Sequence, residues 1–95
     1  MTELYYALRR IGFVKPLRSR QILDRVKSMP CIRCGKPADD PHHFLGSLHS
    51  LKSSDLYTVP VCRGCHDIYE RNPKENPGLA LLWVEHVMPK ILEMR

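Results

Sequence analysis

No stretch of this chain approaches the roughly 20 consecutive apolar residues that a bilayer-spanning helix needs, so no membrane partner is expected. The amino terminus, MTELYYALRR, carries an acid at Glu3 and its first arginines only at Arg9 and Arg10. A secretory leader would set basic residues first and an apolar run after them, so a cytoplasmic location is the expectation. Low-complexity segments and internal repeats are missing as well, which leaves the composition of an ordinary soluble protein. Length is also in short supply. The 95 residues have room for one domain, expected over 1–95, and a core that small calls for a staple.

Charge is basic without being extreme. The formal net charge of +5 falls to about +3 if four thiolates surround one divalent ion. That balance leans toward an anionic partner but does not by itself select nucleic acid.

What the sequence does have is four cysteines in two pairs, Cys31-x-x-Cys34 and Cys62-x-x-Cys65, separated by residues 35–61. In a reducing compartment, thiols at this spacing are metal ligands more often than disulfides. Zinc takes four such sulfurs in a tetrahedron at about 2.3 Å, and each C-x-x-C turn supplies two. Gly35 follows the first pair, where a knuckle needs a left-handed residue. A structural zinc is the expectation, with iron–sulfur or redox use and a disulfide pair as the alternatives. A closed four-sulfur site keeps no open position, so this ion would be a staple and not the catalytic metal.

The remaining pattern reads as helix, hairpin, helix. Thr2 can cap a short helix ending before Gly12. Ser19 caps a second, in which Ile22, Leu23 and Val26 recur at helical spacing as far as Met29, and Pro30 ends it. Its basic residues, Arg18, Arg20, Arg25 and Lys27, are a solvated surface or a phosphate-contacting face. Asp39, Asp40 and Pro41 read as a turn, His42–Leu45 as a short strand and residues 46–54 as an exposed loop. Residues 56–61 are rich in β-formers, with Pro60 confined to an edge or a strand end. A short helix is expected from Cys65 to about Arg71. A packing helix over about 77–94 opens with Asn76 as cap and Pro77 at the first position, and Pro89 must kink or split it. Its stripe of Leu79, Leu82, Trp83, Val84, Val87, Met88, Ile91 and Leu92 reads as core.

Between and beside the cysteines lie His42, His43 and His66. Neighbours on a strand point to opposite faces, so His42 and His43 take different jobs. Phosphodiester hydrolysis needs a base that titrates near neutrality and a cation at the phosphate. His49 in the loop and His86 in the last helix read as surface residues, His49 with a phosphate contact or metal ligation as its alternatives.

Met29-Pro30-Cys31-x-x-Cys34-Gly35, then Pro41-His42-His43, then Ser54-Asp55-Leu56-Tyr57-Thr58-Val59-Pro60-Val61-Cys62-x-x-Cys65-His66-Asp67 resembles the HNH endonuclease superfamily. Within it the chain is most similar to the phage recombination-enhancement (Ref-like) nucleases. The resemblance covers about residues 20–70 and implies a small zinc-stabilised α+β domain. Its ββα-metal, treble-clef-like core would be flanked by N-terminal and C-terminal helices. It also implies roles: His42 and His66 as ligands of a catalytic divalent metal (Mg2+, Mn2+, Ni2+ or Zn2+) and His43 as general base.

Two positions depart from the family pattern. No Asn lies between His43 and Cys62, and Asp55 is the nearest substitute for the residue that orients the base. Where related sequences often carry a further His one turn after His66, this chain has Glu70, a hard-oxygen ligand or a plain surface residue. The implied activity is hydrolysis of DNA in a phage or prophage protein, docked through Lys52, Arg63 and Arg25. A homodimer is the expectation for cutting both strands. The alternatives are a non-catalytic zinc-containing DNA-binding protein and a protein-interaction or recombination-accessory factor that uses the last helix, and only the second would expose Trp83 in an apolar patch.

Overall fold

In a computed structural model, residues 2–14, 18–45 and 54–94 are described; His49 and Lys52, and the roles expected of them, fall outside these. The chain forms a small α+β unit, 34 × 31 × 25 Å along its principal axes. Among the described residues no helix is long and apolar enough to cross a membrane.

Helix α1 (Thr2–Val14) opens the chain and lies against the C-terminal helices, burying Tyr5 and Leu8. It runs through Gly12, past the stop expected there: a lone glycine costs a helix only about 1 kcal/mol. Helix α2 (Arg20–Lys27) begins as the sequence predicts, with the Ser19 hydroxyl accepting the N–H of Ile22. Its one fully buried residue, Val26, enters the core.

The first cysteine pair then forms a tight knuckle. Gly35, at φ +81°, lets its N–H reach Cys31 O at 2.9 Å while Cys31 N–H donates to Lys36 O at 2.6 Å. A side chain at that φ would strain the backbone by about 1–2 kcal/mol. The knuckle is sewn to the second strand by Ile32 N–H to Pro60 O at 2.8 Å.

Strands β1 (Asp40–His43) and β2 (Thr58–Val61) pair antiparallel, Asp40 opposite Val61 and His43 opposite Thr58. The expected strand at 42–45 is therefore shifted. Asp40 and Pro41, expected in a turn, belong to it, while Phe44 and Leu45 turn out of it and bury completely in the core. Burying two large side chains outweighs two more residues of ladder. Leu56 and Tyr57 likewise precede β2 in a turn. Pro60 is tolerated because a two-stranded sheet has only edges.

Helix α3 (Arg63–Arg71) starts two residues before Cys65, with Cys62 as its cap position. After a 3-10 turn at Pro73–Glu75 come α4 (Asn76–Leu82), a π-helical segment at Trp83–Val87 and α5 (Met88–Leu92). Asn76 is thus inside the helix and not its cap; Glu75 holds that position. Pro89 does not split the rod. It has no N–H to donate to the preceding turn, and that turn widens, with Met88 N–H reaching Trp83 O. Widening has a second effect. Leu79, Trp83, Val87 and Ile91 are spaced by four, which on an α-helix drifts about 40° per step. A wider turn reduces the drift, and all four stay buried. Trp83, 4% exposed, donates its indole N–H to Leu56 O at 3.0 Å and stands against Tyr57 and Phe44.

Candidate metal and hydrolytic centre

The knuckle and the start of α3 bring the four cysteine sulfurs within 4.8 Å of one another, Cys34 Sγ and Cys62 Sγ at 3.6 Å. A tetrahedron with metal–sulfur bonds near 2.3 Å has edges of about 3.8 Å. The four cysteines, all free of disulfides, thus form a group that can hold a metal ion such as zinc. The backbone is arranged for thiolates. Burial pushes the Cys31 thiol up, but the N–H groups of Cys62, Cys34 and Arg33 outweigh it and bring it down to about 6. The Cys65 N–H lowers Cys62 in the same way. Cys65 itself is pushed up to about 12 by burial and by its three sulfur neighbours. Four sulfurs this close cannot all ionise without a cation among them.

A second cluster joins β1 to α3. His42, on β1, is buried, and its ring centroid lies 5.1 Å from that of His66 on α3. Tyr69, one helical turn beyond His66, stacks on the His42 ring at 5.6 Å and 17°. The His42 Nε2–H donates to Asn76 Oδ1 at 3.1 Å. Burial lowers His42 below its ordinary 6.5 and the adjacent His66 works in the same sense, against the Asn76 hydrogen bond. A neutral imidazole is the form that ligates metals.

His66 is bracketed by acids. Its Nδ1 faces Asp40 Oδ2 at 3.3 Å and its Nε2 faces Glu70 Oε1 at 3.0 Å. A neutral ring has one N–H, so it can satisfy only one of these two carboxylates. The other contact needs a second proton or a cation. Imidazole and carboxylate donors together suit several first-row divalent ions and magnesium. Among the described residues, however, the cysteine quartet is the one group of three or more ligand atoms drawn together closely enough to cage an ion. The histidine cluster is looser and open.

His43 faces the other way, as alternation on a strand requires. Its side chain is 36% exposed, and its Nε2–H donates to Asp55 Oδ1 at 2.8 Å. Asp55 is fixed from several sides. Ser19 N–H donates to its Oδ2 at 2.9 Å, Arg18 lies 3.6 Å from Oδ1, and Thr58 Oγ1–H donates to its main-chain oxygen at 3.0 Å. Burial alone would raise the carboxyl, but His43, Ser19 and Arg18 hold it below its ordinary value. The structure therefore brings Asp55 to His43, and His42 to His66 with Glu70.

The basic residues named for DNA stand differently. Arg63 is 82% exposed, 3.7 Å from Asp40. Arg25 is turned toward α5, 3.7 Å from Glu93 Oε1, where its charge is engaged within the fold. Two residues were missed by the sequence reading. Asp40 was assigned to a turn and Asn76 to a helix cap, both on local preference. Their partners lie 26 and 34 residues away, and nothing in the sequence signals either pairing. Trp83 is core, so the exposed apolar patch that an accessory role would use is not formed around it.

The chain belongs to the family described as protein of unknown function (DUF968), whose profile matches residues 12–91. It is similar to the uncharacterized protein YdfU of Escherichia coli (strain K12), with 41% identity over 64 residues. That match covers 59% of this chain and 18% of YdfU, so the chain spans less than a fifth of that relative's length. No solved structure matches.

Proposed function

We propose that this member of the DUF968 family is an HNH-type endonuclease that hydrolyses phosphodiester bonds in DNA, with zinc at the four cysteines and one exchangeable divalent ion at the histidines. The observation that carries the reading is the pairing of His43 with Asp55 at 2.8 Å, on the strand whose neighbouring residue, His42, meets His66. The order of elements supports it too: hairpin, then helix, with the sulfur cluster behind them.

The chemistry follows from the hydrogen bonds. Because Nε2–H of His43 is donated to Asp55, the free lone pair is on Nδ1. That nitrogen takes a proton from water as the water oxygen bonds to phosphorus, and the Asp55 carboxylate stabilises the imidazolium that results. The bond from phosphorus to the 3′-oxygen breaks, and the 3′-oxygen gains a proton from solvent. By the family resemblance the product carries a 5′-phosphate. His42, His66 and Glu70 would hold the divalent ion, which supplies charge neutralisation at the phosphate and the leaving oxygen. Docking relies on Arg63, Lys52 and the exposed basic residues of α2, and weakens with salt as phosphate contacts do.

The test is a plasmid-nicking assay with Mg2+, Mn2+, Ni2+ and Zn2+ in turn. The wild type is expected to nick. The H43A variant is expected to be slower by about a hundredfold to ten-thousandfold while keeping its zinc and its fold. Nicking by H43A at the wild-type rate would refute the base assignment.

One feature favours the second reading, a non-catalytic zinc-containing DNA-binding protein. Both ring nitrogens of His66 already face carboxylates, an arrangement that an inert polar network also satisfies. Retention of DNA with no cleavage under any of the four ions would select that reading.

A further inference from the structure

The profile match runs to residue 91, well past the hairpin, α3 and the cysteines. Asn76 gives the segment after α3 a part in the site. It stands at the first turn of α4, is itself buried, and is 3.1 Å from the Nε2 of a buried histidine 34 residues earlier. The His42 ring is thereby held on three sides. Tyr69 covers a face, His66 meets it edge to face, and Asn76 accepts its Nε2–H.

An amide oxygen can only accept. With the proton committed to Nε2, the remaining lone pair of a neutral His42 ring is on Nδ1. A ring ligating through one nitrogen is commonly fixed in tautomer and rotation by a partner on the other, and losing that partner typically costs ten- to a hundredfold in metal affinity. Filling the space alone does not require this pair, since apolar residues at both 42 and 76 would pack there with no N–H to satisfy.

We infer that Asn76 is a positioning residue for the exchangeable metal ion: it fixes the Nε2–H tautomer of His42 and so presents Nδ1 as the donor. The inference rests on the nuclease reading, in that His42 must be a ligand. It also makes the C-terminal helices part of the site, because α4 delivers Asn76.

The test uses the full chain with zinc retained at the cysteines, and measures Mn2+ binding by calorimetry together with the tautomer of His42 by imidazole 15N shifts. N76A is expected to bind Mn2+ about ten- to a hundredfold more weakly and to show a mixed tautomer. N76D, which still accepts the hydrogen bond, is expected to restore most of the affinity and the Nε2–H form. Wild-type affinity in N76A, or N76D as weak as N76A, would overturn the positioning role while leaving the metal site standing. A wild-type chain that binds no Mn2+ would overturn both.

Discussion

The two clusters that meet on α3 obey opposite rules. The cysteine cluster is built from four identical donors on one knuckle and the first turn of α3, with backbone N–H groups aimed at the sulfurs. Its geometry is local to each pair, and four sulfurs around one ion would leave no position for a water or substrate. The histidine cluster draws on β1, α3 and α4, and its groups are unlike: two imidazoles, two carboxylates, an amide and a stacked tyrosine. On the proposed function the histidine cluster must admit substrate, so it would stay open and be held by its surroundings.

The largest effect that separates the two is loss of a sulfur. C65S should leave the chain unfolded or molten, since structural zinc binding is linked to folding at roughly 10 kcal/mol or more, a large share of what a domain this size has. Near-ultraviolet circular dichroism would register it. A C65S chain with native spectra would mean that the apolar core stands without the staple.

The next effect lies wholly in the open half. D55N keeps the shape of the side chain but removes the charge that stabilises a protonated His43. Single-turnover cleavage should fall by about a hundredfold or more, with a smaller loss of stability from the Ser19 and Arg18 contacts. An unchanged rate would mean that Asp55 serves α2 and not the base.

A smaller effect is set by pH. Burial lowers His42 below 6.5, so the folded state prefers the neutral ring. The stability this contributes is present above 6.5 and is lost as pH falls through the lowered folded value. A proton NMR titration should place the His42 midpoint below 6.5, and urea unfolding should weaken across the same step. A midpoint above 6.5 would imply that the Asn76 hydrogen bond and the Glu70 carboxylate outweigh burial.

The same contrast separates what could be read from the sequence from what could not. The knuckle, with Gly35 at positive φ, follows from C-x-x-C-G alone. So do the Ser19 cap and the buried stripe from Leu79 to Ile91, because each is fixed by neighbours within a turn or two. Asp55 was reachable only by analogy with the missing Asn. Asp40 and Asn76 were out of reach: both have strong local preferences, for turn and cap, and tertiary hydrogen bonds override them. The π-helical turn before Pro89 was foreseen only as a kink. Its actual form depends on keeping Trp83 and Val87 in one core.

The central claim is that one fold carries a captive ion and an exchangeable one, and that only the second governs cleavage. Dialysis of the purified protein against EDTA at neutral pH, followed by metal analysis and a nicking assay before and after adding back Mn2+, tests it directly. One zinc is expected to be retained per chain, with no nicking after dialysis and nicking restored by Mn2+. Nicking that persists in EDTA, or zinc-loaded protein that nicks with none of the four divalent ions, would contradict it.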